Sequence, residues 1–271
     1  MLEFLKAVLW AKMETPTMYG WFHLLMLALC LGGCALVVIF RKKIDERRFR
    51  IMTGIFLAVV VALEIVKQIN FSYNPETDKW AYQWYAFPFQ FCSSPYFVWP
   101  FVLFVKNEKV KKCLYAFIGT FNFFGGLVNM FYPATVFIGD VVINIQTQVH
   151  HGLMLVLGVA VYACGLVEKK PKALLDASIV FGVLIAVAIV LNEVMYPIVG
   201  QEHSFNMFYI SRHYDCSLPL LEMFWKVENP PMPYICFLLI YIVGFVLIGA
   251  IIFYSAQGIA WLANKFIKKE A

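Results

Sequence analysis

Residues 41–50 read RKKIDERRFR, and the runs on either side of them decide the fold. Before them lies YGWFHLLMLALCLGGCALVVIF (19–40), and after them IMTGIFLAVVVALEIVKQINFS (51–72). Each run is close to the ~20 residues an α-helix needs to cross the hydrocarbon core of a bilayer. A decapeptide with six Lys/Arg between two such runs is a loop at a membrane surface. The side that keeps Lys and Arg is the cytoplasmic one.

The same alternation continues outward. Of the 271 residues, 62% are hydrophobic and only 14% charged, with a mean hydropathy of +0.74. That composition excludes a soluble domain. The chain reads as an all-α, polytopic membrane helix bundle of about seven transmembrane helices, near 19–40, 51–72, 87–105, 113–131, 141–166, 173–197 and 234–262. It forms one integral membrane domain, 1–271. Residues 1–18 are an interfacial amphipathic segment without the apolar core and cleavage site of a signal peptide. Residues 198–233 form an extracytoplasmic loop.

Charge sets the orientation. The segments 41–50, 106–112, 168–172 and 265–271 together hold sixteen Lys/Arg, and the intervening ones hold five: Lys6, Lys12, Lys79, Arg212 and Lys226. The amino terminus is therefore expected outside and the carboxyl terminus in the cytoplasm. The net charge of +5 is a topology signal rather than a nucleic-acid one. Seven scattered cysteines without a CxxC pair indicate neither a zinc site nor a disulfide framework.

Polar residues inside the spans are costly and so carry information. They gather in the expected outer half. His23 lies about one turn into the first helix, and Glu64, Lys67, Gln68 and Asn70 near the end of the second. Gln90, Cys92, Ser93 and Ser94 open the third. Asn144, Gln146, Thr147, Gln148, His150 and His151 run down the fifth, and Asn192 and Glu193 end the sixth. A shared polar cavity accounts for the set, lined by His23, Lys67, Gln90, Ser93, His150 and Asn206. Unrelated interhelical hydrogen bonds are the plainer explanation for any single Asn or Gln. On the fifth helix His151 shares a face with Gln148, Thr147 and Asn144, while His150 is turned by about 100°. Glu64 and Lys67, at i and i+3, form a candidate ion pair.

FPFQFCSSPYF (87–97) brackets Cys92 between Pro88 and Pro95, and Pro95 is expected to kink the third helix. A thiol next to an imidazole becomes a nucleophile when the imidazole takes its proton. Cys92 with His151 as base fits acyl transfer from a lipid ester, with Glu64, Asn144, Gln148 or Asn192 orienting the imidazole or binding the oxyanion. The expected partners are a membrane phospholipid or lysophospholipid, with no cofactor, metal or nucleic acid required. The alternative is a carrier that binds a solute or proton, although the other half of the membrane lacks the polar residues to continue its path. Axial ligation of a haem by His23 and His151 is disfavoured by their different depths.

WFHLLML (21–27), ALEIVKQI (62–69), FPFQFCSSPYF, NMFYPATVF (129–137), VHHGLML (149–155) and LNEVMYPIVGQEHSFNMFYIS (191–211) carry a resemblance over the whole chain. The chain resembles the YwaF family of bacterial integral membrane proteins. That family is similar to the vertebrate transmembrane-protein-164 acyltransferases and, more distantly, to membrane threonine/histidine hydrolases of fatty-acid esters. The resemblance implies a bacterial plasma-membrane protein with a catalytic cysteine at Cys92 and a histidine at His151. His23 and Asn206 fall at recurrent motif positions. The doubled histidine leaves the choice between His150 and His151 open by one residue.

Overall fold

The computed structural model describes residues 2–200 and 203–267. Lys268 and Lys269 of the basic tail lie outside the described residues. The elements are α1 (Leu2–Leu9), α2 (Trp21–Phe40), α3 (Glu46–Ser72), α4 (Pro95–Phe104), α5 (Glu108–Phe117), α6 (Phe123–Phe131), α7 (Val141–Ala163), α8 (Lys172–Val199) and α9 (Tyr234–Ile267). One short antiparallel ladder pairs β1 (Tyr73–Asn74) with β2 (Lys79–Trp80), setting Tyr73 opposite Trp80. The protein is an all-α polytopic membrane protein. Five helical stretches are long and apolar enough to cross a membrane: Trp21–Lys43, Glu46–Ser72, Glu108–Phe131, Lys172–Val199 and Tyr234–Ile259. Exposed Leu29, Ile39, Ile55, Val183, Ile198, Leu247 and Ile251 give four of them the apolar outer surface that lipid requires, while Glu108–Phe131 is mostly buried.

The middle of the third expected helix is different. An uninterrupted helix over 87–105 is not formed. Residues 91–93 make a single 3₁₀ turn, and α4 begins at Pro95. Proline is tolerated at the first helical position, where its missing N–H would have no partner anyway. One turn deeper, its ring would clash with the Phe91 carbonyl. Pro95 therefore starts the helix instead of kinking it, and Gln90, Cys92 and Ser93 lie in the irregular run that leads into it.

Side chains cap the helix starts. Asp45 accepts from Arg48 N at 2.8 Å, Asn107 from Lys109 N at 2.9 Å, and Asp140 from Val142 N at 3.1 Å. Each such cap contributes roughly 0.5–2 kcal/mol. α5 and α6 are joined through a π turn, Ile118–Asn122. There the Asn122 amide donates to Ser94 Oγ at 2.8 Å, and its oxygen accepts from Trp99 Nε1 at 2.7 Å. The π turn thus holds both the start of α4 and the segment before it.

α7 is the central helix, packed by α2, α3 and α6. Fourteen of its 23 residues are buried, including Asn144, Gln146, Gln148, His150 and His151, so most of its polar stripe faces protein, with Thr147 half-buried. α9 packs at the periphery, on α8 and the π turn.

The basic segments meet at one end of the bundle. Lys111 bridges to Glu46 at 2.8 Å and to Glu108 at 2.6 Å, and Lys112 to Glu168 at 2.5 Å. The hydrogen bond from Lys112 holds the Glu168 carboxyl below the usual carboxylate range. At the opposite end, Trp10 Nε1 donates to the Asn70 carbonyl and Lys12 pairs with Asp140, tying the end of α1 to α3 and α7.

The long connection after α8 folds inward. Phe205, Met207, Phe208 and Ile210 are each at most 1% exposed. Phe208 and Tyr209 both have positive φ (58° and 56°), a strained turn for non-glycine residues. Asn192, Gln90 and Tyr241 hold that turn through its backbone. Residues 211–231, which carry no periodic signal, lie over this plug. Arg212 and His213 both reach Glu193, Cys216 N donates to Trp225 O, and Trp225 stacks on Phe237.

Candidate functional site

α7 presents two histidines on different faces, and their hydrogen bonds fix different states. His151 Nδ1 lies 2.7 Å from the carbonyl of Thr147, one turn back on the same helix. A carbonyl only accepts, so Nδ1 carries the proton and Nε2 bears the lone pair. Nε2 is buried and has no hydrogen-bond partner. In the neutral imidazole the Thr147 hydrogen bond fixes the tautomer and leaves the basic nitrogen vacant.

His150 is fully engaged. Its Nε2 lies 2.8 Å from the Cys92 carbonyl and therefore donates to it. This is a carbonyl that the irregular run before α4 leaves without a helical partner. Nδ1 lies 3.1 Å from the Tyr96 hydroxyl, which also lies 3.0 Å from Glu64 Oε2. Glu64 Oε1 takes Lys67 Nζ at 2.8 Å and Gln68 Nε2 at 2.7 Å. The Glu64–Lys67 pair is present, embedded in a larger chain. Tyr96 has one proton and two acceptors beside it. One further proton, on His150 or Glu64, satisfies every link.

Cys92 is partly buried in the turn before α4, with Ser93 buried next to it. The Asn129 amide points N–H groups at Cys92 Sγ (3.7 Å) and at the Gly125 carbonyl (3.2 Å). Two adjacent glycines on α6 bring the thiol and the histidine helix together. A Cβ on Gly125 would lie 3.8 Å from Cys92 Sγ, and one on Gly126 only 2.7 Å from the His151 carbonyl. Cys92 and His151 therefore pack on the same turn of α6. The two histidine rings are 5.2 Å apart, centre to centre. Both histidines are nearly enclosed, with His150 3% and His151 8% exposed, while Cys92 and Tyr96 beside them are only partly buried.

Other candidate residues stand elsewhere or are occupied. Gln148, 1% exposed, shares the buried face with His151, and neither end of its amide has a partner. Asn144 uses both functions on Ile138, accepting from its N–H and donating to its carbonyl. Asn192 does the same with Met207. Neither amide is left over to orient an imidazole or bind an oxyanion. Gln90 and Asn206 clamp the inward loop, Gln90 donating to the Asn206 carbonyl and Asn206 Oδ1 accepting from Ser211 N. His23 accepts from Tyr19 N at 2.8 Å and donates to the Met130 carbonyl at 2.9 Å, which leaves no ring nitrogen for a haem. Among the described residues no group of three or more His, Cys, Asp or Glu side chains is placed to hold a metal ion.

The residues alone do not single out Tyr96 or the Gly125–Gly126 pair. A signal for Tyr96 does exist, because it is a hydroxyl inside the apolar motif FPFQFCSSPYF and a buried Tyr O–H needs a partner.

The sequence model of the TMEM164 family covers residues 18–256, which include every residue of this site. No curated protein and no solved structure shows significant similarity to the chain.

Proposed function

The chain belongs to the TMEM164 family, and from that premise we propose that it is a Cys/His-dependent lipid acyltransferase or acyl-ester hydrolase. The acyl donor is a membrane phospholipid, and the site faces the outer leaflet of a bacterial plasma membrane. Cys92 is the nucleophile and His151 the base. One observation carries the assignment: the Thr147 carbonyl holds His151 with Nε2 basic and unpartnered, while Cys92 packs on the same turn of α6.

The chemistry follows from those positions. Nε2 takes the Cys92 proton, and the thiolate attacks the ester carbonyl. The tetrahedral intermediate collapses to a thioester, and the leaving lysolipid alkoxide recovers the proton from His151. In the second half His151 deprotonates a lysolipid hydroxyl or water, which attacks the thioester and releases the Cys92 thiol. The Asn129 N–H stabilises the thiolate. The unpartnered Gln148 amide is the candidate donor to the oxyanion. His150, held between Cys92 and Tyr96, fixes the peptide that carries the nucleophile.

Intact-protein mass spectrometry after incubation with a defined phospholipid tests this. Wild type is expected to gain the mass of one acyl chain, reversed by hydroxylamine, and both Cys92→Ala and His151→Ala to lose that gain while staying folded. Lysolipid release that persists in Cys92→Ala would overturn the thiol mechanism.

The hydrogen-bonded chain Lys67–Glu64–Tyr96–His150, buried at Glu64 and His150, favours a second reading, a carrier that binds a proton or solute. Absence of both adduct and lysolipid release would move the assignment to it.

A further inference from the structure

At the basic end a groove of about 660 Å³ opens between α3 and the corner joining α4 to α5. Arg47, Arg50, Glu46 and Lys111 line its polar part, and Ile51, Gly54 and Leu103 its apolar part. We infer that this groove seats one anionic phospholipid, its phosphate on Arg47 and Arg50 and its first acyl carbons over Gly54.

The charge balance points to an anion. Lys111 is neutralised by Glu46 and Glu108, at 2.8 and 2.6 Å. Arg50 donates to the Leu103 carbonyl and keeps further donors of its five-N–H fork. Arg47 is exposed and makes no ion pair among the described residues. Three cations, Arg47, Arg50 and Lys111, thus face two carboxylates, and the surplus positive charge falls on two guanidinium groups three residues apart on one helix face, neither of them in an ion pair among the described residues. Their forked donors match a phosphodiester.

The floor points to a lipid rather than a soluble phosphate. Gly54 lies seven residues beyond Arg47, about 10 Å further along α3 toward the bundle centre. Its missing side chain leaves a trough, since a Cβ there would meet nothing closer than Leu103 Cδ2 at 3.5 Å. Ile51, 53% exposed, forms the lip. Basic pockets between transmembrane helices that continue onto apolar surface are where anionic headgroups settle. Glu64 is fourteen residues from Arg50 on α3, about 21 Å. The lipid site is thus separate from the Cys92–His151 centre and independent of its chemistry.

The test is native mass spectrometry of the full chain, released from mixed micelles of dioleoyl phosphatidylglycerol and dioleoyl phosphatidylcholine. Wild type is expected to retain phosphatidylglycerol about tenfold over phosphatidylcholine. Arg47→Gln, which breaks no ion pair, and Arg47→Gln/Arg50→Gln should reduce that preference stepwise. Gly54→Leu should lose the retained lipid with every charge in place, which general attraction to a basic surface would not produce. Equal retention of the two lipids, or retention unchanged in Arg47→Gln and Gly54→Leu, would overturn the inference. Displacement of the lipid by millimolar glycerol 3-phosphate would overturn it in favour of a soluble phosphate.

Discussion

Tyr96 is the residue on which the two histidines come to differ. Through it His150 is wired to Glu64, while His151 keeps a free nitrogen a few ångströms away. Tyr96→Phe keeps the ring and removes the link, leaving His150 Nδ1 and Glu64 Oε2 short of a partner. It should lower stability by about 1–3 kcal/mol, read as a fall in denaturation midpoint. An acyl adduct on Cys92 should still form, because His151 is untouched. An adduct abolished by Tyr96→Phe in folded protein would transfer the base to His150. The sequence separates the histidines only by their angle on the helix. The partners that engage His150 are a carbonyl in another segment and a hydroxyl 54 residues away, whereas His151 is held by a carbonyl of its own helix. Asn144 and Asn192 are misleading for a related reason, since an amide that binds an oxyanion and one that staples a backbone are the same residue type.

At the scale of elements, contact between α6 and α7 rests on two neighbouring glycines with unlike surroundings. A Cβ on Gly126 would fall 2.6 Å from Leu155 N and 2.7 Å from the His151 carbonyl, both backbone atoms. On Gly125 the nearest atom is the flexible end of Met154, at 2.9 Å. Gly126→Ala should therefore separate the helices and cost about 1–3 kcal/mol or more, with Gly125→Ala milder. Gly182→Ala on α8, with nothing within 4 Å, should be neutral or stabilising. Thermal midpoints in one detergent rank the three, and equal losses at Gly125 and Gly126 would refute the ordering. Long apolar runs made α2, α3, α8 and α9 plain in the sequence. The start of α4 was not, because a proline one turn into a helix and a proline at its first position leave the same local pattern. The π turn had no local signal either, because Asn122 is explained only by Ser94 and Trp99 from another helix.

For the molecule as a whole, the gathering of basic segments at one end could be read from charge alone. The inward fold of 205–211 could not. Four apolar residues in a connecting loop are too few for a periodicity, and Gln90 and Asn192, which hold them, lie far away in sequence. Hydrogen exchange should find the amides of Met207 and Phe208 protected like helix interiors in wild type. Asn192→Ala should speed exchange at Met207 by about tenfold, as expected for loss of a hydrogen bond of about 1–1.5 kcal/mol. Unchanged protection would show that the plug holds without the clamp.

The central position of α7 also constrains how the protein is made. At 23 residues α7 is long enough to span a bilayer, yet it is not among the five stretches apolar enough to do so unaided. Asn144, Gln146, Gln148, His150 and His151 would each meet hydrocarbon if it left the translocon alone. Its insertion is therefore expected to wait for α2, α3 and the continuous α5–α6 span, whose surfaces receive those side chains. A glycosylation-site reporter would record this as failure of α7 to integrate by itself and success behind residues 1–140, and solo integration would disprove it. Assembly order, on this view, is written into the same polar stripe that forms the site. The ribosome must deliver the walls of the chamber before the helix that furnishes it.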